Sequence, residues 1–203
     1  MSASHRFPIQ DLHSGQFVEA ILTERIDVMY AKRADDAWLT FLATAKALAL
    51  AAGAHFDPPE HMHWRWERKV LASAHLLSYP TMGIEYEGQV QGLMMLLTDG
   101  EFGRLPEQAR QPLVYVHFLA TAPWNLGAVV AQPRFRGVGT VLLRAAIETS
   151  IDLGFKGRMG LHSLPQSETW YDRIGMICLG ADSSKQNLKY YEMTAAQAAV
   201  FVR

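Results

Sequence analysis

Cysteine is almost missing from this chain: Cys178 is the one thiol in 203 residues. No intrachain disulfide can form, and a reducing compartment, the cytoplasm, is the expected home. An excess of one charge is missing too. Nineteen Lys and Arg against 20 Asp and Glu leave a formal net charge of -1, without the basic footprint that a nucleic-acid partner requires. The longest apolar run, at 42–52, is Ala-rich, interrupted by Lys46 and too short to span a bilayer. Residues 1–11 lack the basic-then-apolar order of a signal peptide. Neither a nucleic acid nor a membrane is therefore an expected partner. Internal repeats and low-complexity tails are absent as well.

What is present is apolar substance, 49% of the residues, enough for a real core at this length. The reading is one domain over 1–203, with a helical N-terminal segment at 1–57 and a core at 80–193. Helices are expected at 17–29, where Phe17, Ile21 and Ile26 share a spacing, at the Ala- and Leu-rich 37–52, and at 59–77. Gly53 and Asp57-Pro58-Pro59 punctuate the first pair. Two strands joined through Gly88 are expected at 81–87 and 89–98, and the second turns continuously apolar, as a strand covered on both faces does. A polar loop at 99–111 leads to a buried strand at 113–121. Further on, helical spacing at 138–153 ends at Gly154. A strand at 158–163, a helix at 168–174 and a strand at 189–193 complete a mixed α/β pattern of mostly antiparallel character.

The most informative segment is Arg134-Phe135-Arg136-Gly137-Val138-Gly139-Thr140, which runs straight into the helix Val141-Leu142-Leu143-Arg144. The first N–H groups of a helix have no partner within it, and the dipole concentrates positive charge there, so a strand, a glycine turn and a helix make an anion site. Gly137 and Gly139 remove Cβ atoms that would hold a pyrophosphate away from those amides. Arg134 and Arg136 add mobile positive charge. By itself a two-glycine turn can equally be a plain loop with solvated arginines.

At this point the chain resembles the GCN5-related N-acetyltransferase (GNAT) superfamily. Arg134, Gly137 and Gly139 match that family's cofactor motif, and Thr140-Val141-Leu142-Leu143 continues as its helix does. Leu119-Ala120-Thr121-Ala122-Pro123 resembles the end of the family's fourth strand. Ser167 through Met176, with Tyr171 four residues before Gly175, resembles its tyrosine segment. The similarity spans about 80–193. In typical members the proline lies close ahead of the cradle, whereas Pro123 and Arg134 stand eleven residues apart; residues 124–131 are an apparent insertion. Phe135 replaces a glycine common in the motif, which sets an aromatic ring beside the phosphates.

The resemblance implies an acyl-CoA-dependent N-acyltransferase, acetyl-CoA as co-substrate, and a primary amine on a small molecule or peptide as acceptor. The cofactor would lie against Leu119, Ala120, Thr121, Arg134, Phe135, Arg136, Gly137, Val138, Gly139 and Thr140. Its pantetheine arm would pair with the backbone of Leu119 and Thr121, where the strand splays from its neighbour at 158–163. Tyr171 would protonate the departing thiolate; the other reading of Tyr171 is packing beside Trp170. His117, on the same strand face as Leu119, is the first candidate base, with His162, Glu85 or a water chain as alternatives. Trp124 and Asn125 fall where the acceptor would bind, and Trp64 or Trp66 could border that pocket. His61 and His63 point apart on a helix and have no cysteine or acidic cluster beside them, so no metal site is expected. A homodimer is open through the Ala-rich helices. Two alternatives remain: a non-catalytic CoA-binding sensor or interaction protein on the same fold, and a Rossmann-type nucleotide binder, which would need Gly-x-Gly-x-x-Gly after a first strand.

Overall fold

In the computed structural model, which describes residues 4–202, nine strands form a large, mostly antiparallel mixed sheet flanked by helices. The chain divides into two compact units. The first comprises the chain up to Leu77, then Thr81–Met94 and Leu119–Leu142; the second comprises Ser78–Pro80, Met95–Phe118 and the chain from Leu143 onward.

The first unit opens with β1 (Ser4–Asp11) and β2 (Phe17–Glu24), an antiparallel pair in which Phe7 faces Ala20 and Ile9 faces Val18. The helix expected at 17–29 is therefore corrected to a strand followed by the start of a helix. Phe17 and Ile21, which suggested a helical stripe, stand outward at 72% and 43% exposure, while Ala20 and Leu22, on either side of Ile21, are buried. Period two, not 3.6, governs this segment. Arg25 takes a left-handed backbone, φ 53°, and turns the chain.

Helix α1 (Val28–Ala51) then begins at Asp27, whose side chain accepts the Tyr30 N–H at 2.7 Å. Its buried residues, Ala31, Ala34, Asp35, Trp38 and Leu42, all lie in the first two-thirds and repeat at helical spacing. Helix α2 is shorter than the expected 59–77 and runs Trp66–Ser73. Its start is set from a distance: the buried Asp35 carboxylate accepts the N–H of Trp66 at 3.0 Å and of Glu67 at 2.9 Å. Before it, residues 59–65 form turns that Arg65 holds by donating to the carbonyls of Met62 and Trp64.

Strands β3 (Thr81–Tyr86) and β4 (Gln89–Leu97) follow as expected, turned by Glu87 and Gly88 with φ 49° and 76°. β3 pairs antiparallel with β2, Leu22 opposite Ile84. The two-residue β6 (Phe135–Arg136) adds to the other side of β1, Gln10 opposite Arg136 and Asp11 opposite Phe135.

The second unit holds most of β5 (Val114–Thr121), then β7 (Met159–Ser163), β9 (Leu188–Met193) and β8 (Ile177–Asp182), hydrogen-bonded in that order. β5 and β7 are parallel; the other two pairings are antiparallel. Helix α3 (Val138–Asp152) belongs to the first unit as far as Leu142 and to the second beyond it, and stops at Gly154 with φ 78°. Two short helices, α4 (Glu168–Arg173) and α5 (Ala195–Phe201), complete the chain, the latter with a Thr194–Gln197 capping box. The polar loop at 99–111 is fastened by a buried carboxylate: Glu192, with no exposure, accepts the N–H of Arg104 at 2.7 Å and of Leu105 at 3.2 Å, and the Gln108 side-chain amide at 2.6 Å. No described helix is long and apolar enough to cross a membrane.

The Asp35 cap yields a stability prediction. Asp35→Ala leaves two amides at the start of α2, one buried and one half-buried, without their acceptor, and should cost about 1–3 kcal/mol in urea unfolding. Asp35→Asn, which keeps one acceptor oxygen, should cost less. Equal stability of wild type and Asp35→Ala would contradict the cap.

Candidate active site

The cradle lies in the first unit and is built by β6, Gly137 and the start of α3. Leu12 donates its N–H to the Arg134 carbonyl at 2.7 Å, so β1 fixes the chain just ahead of the turn. Pairing with β1 alternates the next side chains. Phe135 turns inward, 3% exposed and edge-on to Tyr86 at 5.4 Å, while Arg136 turns outward. The expectation of an aromatic ring beside the phosphates is thus corrected: the Phe135 ring is core. Gly137 takes φ 98°, a conformation that L side chains rarely adopt, and its carbonyl accepts the Val141 N–H at 2.9 Å as the first bond of α3.

The N–H groups of Val138, Gly139 and Thr140 are those that helix geometry leaves without internal partners. A Cβ added at Gly137 would meet no heavy atom within 4 Å, so the turn is open on that side. Arg136 is exposed, and Arg134 half-buried with its guanidinium 4.9 Å from the centre of the Phe135 ring. Behind the turn the helix sits hard on β4. A Cβ at Gly92 would stand 2.7 Å from Val138 Cγ1 and 3.0 Å from Leu142 Cδ1. Only a glycine lets the start of α3 approach that strand.

Leu119 and Thr121 are half-buried on β5, with Ala120 and Ala122 buried between and after them. Among the described residues, β5 pairs with β7 at Val114–Met159, Tyr115–Gly160 and Val116–Leu161, and at no later position. The pairing therefore ends before His117.

Trp124 and Asn125 stand in the 3-10 turn Pro123–Asn125. Both are half-buried, and the Trp124 ring meets Phe41 edge-on at 5.5 Å. Close by in sequence, Pro123 joins Trp38, Leu39, Leu42, Trp64 and Trp66 around a recess of about 20 Å³ into which Asp35 and His61 also face. That is room for one small group or a water. His61 is buried, and burial, with His63 nearby, pushes its pKa down to about 4, so it is neutral in ordinary buffers. Among the described residues no three His, Cys, Asp or Glu gather as metal ligands would. Glu85, an alternative base, is ion-paired with Arg33 at 2.9 Å.

In the second unit, Tyr171 on α4 is 6% exposed, between Trp170 at 5.0 Å and Tyr191 at 5.6 Å. Burial pushes its phenol well above the ordinary value, so it remains a protonated donor. His117 stands among the rings of Tyr79, Tyr115 and Phe118 at 5.8, 6.0 and 4.4 Å. His162 is engaged at both nitrogens, Nδ1 2.7 Å from the Tyr115 hydroxyl and Nε2 3.0 Å from Asp182 Oδ2. Asp182 is held strongly to its ionised form, first by Ser184 and then by Arg104 and His162. Desolvation pushes the Tyr115 phenol up to about 12. Nε2–H therefore donates to Asp182 and Nδ1 accepts from Tyr115, which occupies the nitrogen a base would use.

Sequence reasoning missed Gln91, Asp35 and this relay. Only Gln91 left a local signal, an amide inside an apolar strand.

No protein-family model matches the sequence, and no curated protein matches it. Solved structures do match in fold. An insect protein described as arylalkylamine N-acetyltransferase 7, from the yellow fever mosquito, superposes with TM-score 0.54 at 16% identity, over 96% of each chain. A bacterial toxin superposes with TM-score 0.52 at 14% identity, over 72% of this chain and 84% of that one. The PaiA N-acetyltransferase of Thermoplasma acidophilum, in complex with coenzyme A, superposes with TM-score 0.50 at 12% identity, over 85% and 98%. The fold is that of the GNAT acyl-CoA N-acyltransferases, as the motif resemblance implied.

Burial holds the pKa of His162 below its ordinary 6.5, with Asp182 opposing. The unfolded chain thus takes up this proton first. Stability resting on neutral His162 is complete above pH 6.5 and is lost as pH falls through the lower folded value. In His162→Gln the amide can donate to Asp182 and accept from Tyr115 without titrating. The stability difference between wild type and His162→Gln should shift toward the variant on acidification below pH 6.5. A pH-independent difference would contradict the assignment.

Proposed function

We propose that this chain is an acyl-CoA-dependent N-acyltransferase that transfers acetyl from acetyl-CoA to a primary amine. The observation that carries the reading is the start of α3. There a left-handed Gly137 that is open where a side chain would stand, three helix-terminal amides, and two arginines together suit a pyrophosphate.

In this reading the amides of Val138, Gly139 and Thr140 hold the diphosphate oxygens, with Arg134 and Arg136 adding charge. The backbone of Leu119 and Thr121 pairs with the pantetheine arm, which the early end of the β5–β7 pairing supports. The acceptor amine, neutral after its ammonium form has lost a proton, bonds to the thioester carbonyl carbon; the C–S bond then breaks and the thiolate leaves with the electron pair. The nitrogen gives up a second proton to solvent, from which Tyr171 is reprotonated after donating to sulfur. Backbone N–H near Leu119 offsets the developing oxyanion. Tyr171 gives its proton to the thiolate. His117 is the proposed base, since the accepting nitrogen of His162 is taken by Tyr115. Trp124 and Asn125 line the acceptor side, and the recess beside Pro123 has room for one small group of the acceptor.

The same fold without turnover is the second reading, favoured by the packing of Tyr171 between two rings. Thiol release with a library of amines separates the two.

Gly137→Val adds a side chain at φ 98° and moves the turn off the amides. Each charge-assisted hydrogen bond lost weakens binding by about 1.5–3 kcal/mol. Calorimetric affinity for acetyl-CoA should fall at least about tenfold in a folded variant, and unchanged affinity would sink the site. Tyr171→Phe keeps the ring and removes the hydroxyl. Steady-state turnover should drop roughly 10²-fold with acetyl-CoA affinity little changed. Turnover near wild type, with chemistry rate-limiting, would leave Tyr171 a packing residue.

A further inference from the structure

Gln91 is a polar residue with no exposure inside an apolar strand, and its amide must find partners. It finds them in the inserted segment. Its Oε1 accepts the indole N–H of Trp124 at 2.8 Å and the Asn125 amide at 3.1 Å, its Nε2 donates to the Gln89 carbonyl at 3.1 Å, and its backbone carbonyl accepts the Ala122 N–H at 2.8 Å. An indole nitrogen can only donate, so the orientation of the Gln91 amide follows from its neighbours. Asn125 has then turned its Nδ2 to Gln91 and its Oδ1 outward along the chain. That Oδ1 accepts the Phe135 N–H at 3.0 Å, and the Trp124 carbonyl accepts the Arg134 N–H at 3.0 Å. Two consecutive amides at the head of the cradle are thereby tied to one side chain on β4.

We infer that Gln91 is a positioning residue for the cofactor cradle, acting through Trp124 and Asn125 on the backbone at Arg134 and Phe135. The inference rests on the proposed cofactor reading. The geometry gives the insertion a task. Residues 126–133 leave the strand end and return, and the amide pair closes that excursion so that Phe135 pairs with Asp11 and Gly137 meets α3 in one register. The bonds are buried or half-buried, where an unmatched polar group is costly, so the closure is specific. Gln91 touches no cofactor atom in this account; its effect on binding passes through Trp124 and Asn125.

The test is a double-mutant cycle read by calorimetric CoA affinity, with thermal melting to show that each variant is folded. Gln91→Leu removes the shared acceptor, and Asn125→Ala removes the link to Phe135. Each should weaken CoA binding about tenfold. Because both cut one chain of contacts, the double variant should also lose about tenfold, not about a hundredfold. A role confined to stability would lower the melting temperature and leave CoA affinity in place. If Gln91→Leu does not fold, the half-exposed Asn125→Ala carries the test, and wild-type affinity in it overturns the link. Losses that multiply in the double variant overturn it as well. Wild-type protein that binds no CoA overturns the cofactor reading itself, a different result from either.

Discussion

A helix that starts against a sheet must bring its first turn close to a strand, and must leave its first amides somewhere. Both demands meet at Val138. Gly92 removes the one side chain that would hold the helix off β4, and Gly137 supplies the backbone angle that lets the chain turn into it. The strand pairing of Phe135–Arg136 with β1 then sets the direction from which the turn arrives. The buried Val138 and Leu142 side chains pack behind this turn against β4. In the proposed reading, a site for an anion at this turn is a by-product of close packing, with the arginines as additions to it.

Buried polar groups do comparable work elsewhere, and each spans a distance in sequence. Asp35 on α1 sets where α2 begins. Glu192 gathers the loop around Arg104 and Gln108. His162 joins Tyr115 to Asp182, and Asp182 in turn pairs with Arg104, which lies 4.0 Å over the Tyr190 ring. In each case a carboxylate, imidazole or amide with little exposure is satisfied by backbone or side chains from another element. Such groups add less net stability than apolar burial does, but a wrong register would leave them unmatched.

The parts legible in the sequence were those whose cause is local. The Glu87-Gly88 turn, the apolar β4, the glycine-bounded α3 and the tyrosine helix each carry their own signal within a few residues. The first hairpin did not. Its outward Phe17 and Ile21 imitate a helical stripe, and its inward set includes an alanine, so alternation is faint until the pairing with β1 and β3 is known. The start of α2 was illegible because its cap lies on another helix. For the cradle, the residue types were readable and the direction of Phe135 was not, since pairing with β1 decides which side chain turns inward. Gln91 was readable only as an oddity; its partners lie more than thirty residues on.

Calorimetric titration of the wild-type protein with CoA, and in parallel with NAD, bears most directly on the claim that the start of α3 holds the cofactor's pyrophosphate. Both ligands carry a pyrophosphate, but only CoA carries the pantetheine arm that the end of β5 is proposed to pair. The account predicts saturable one-to-one binding of CoA, weakened by salt as charge-assisted contacts are screened, and no comparable binding of NAD. Absence of CoA binding by folded protein, or equal binding of the two, would contradict it.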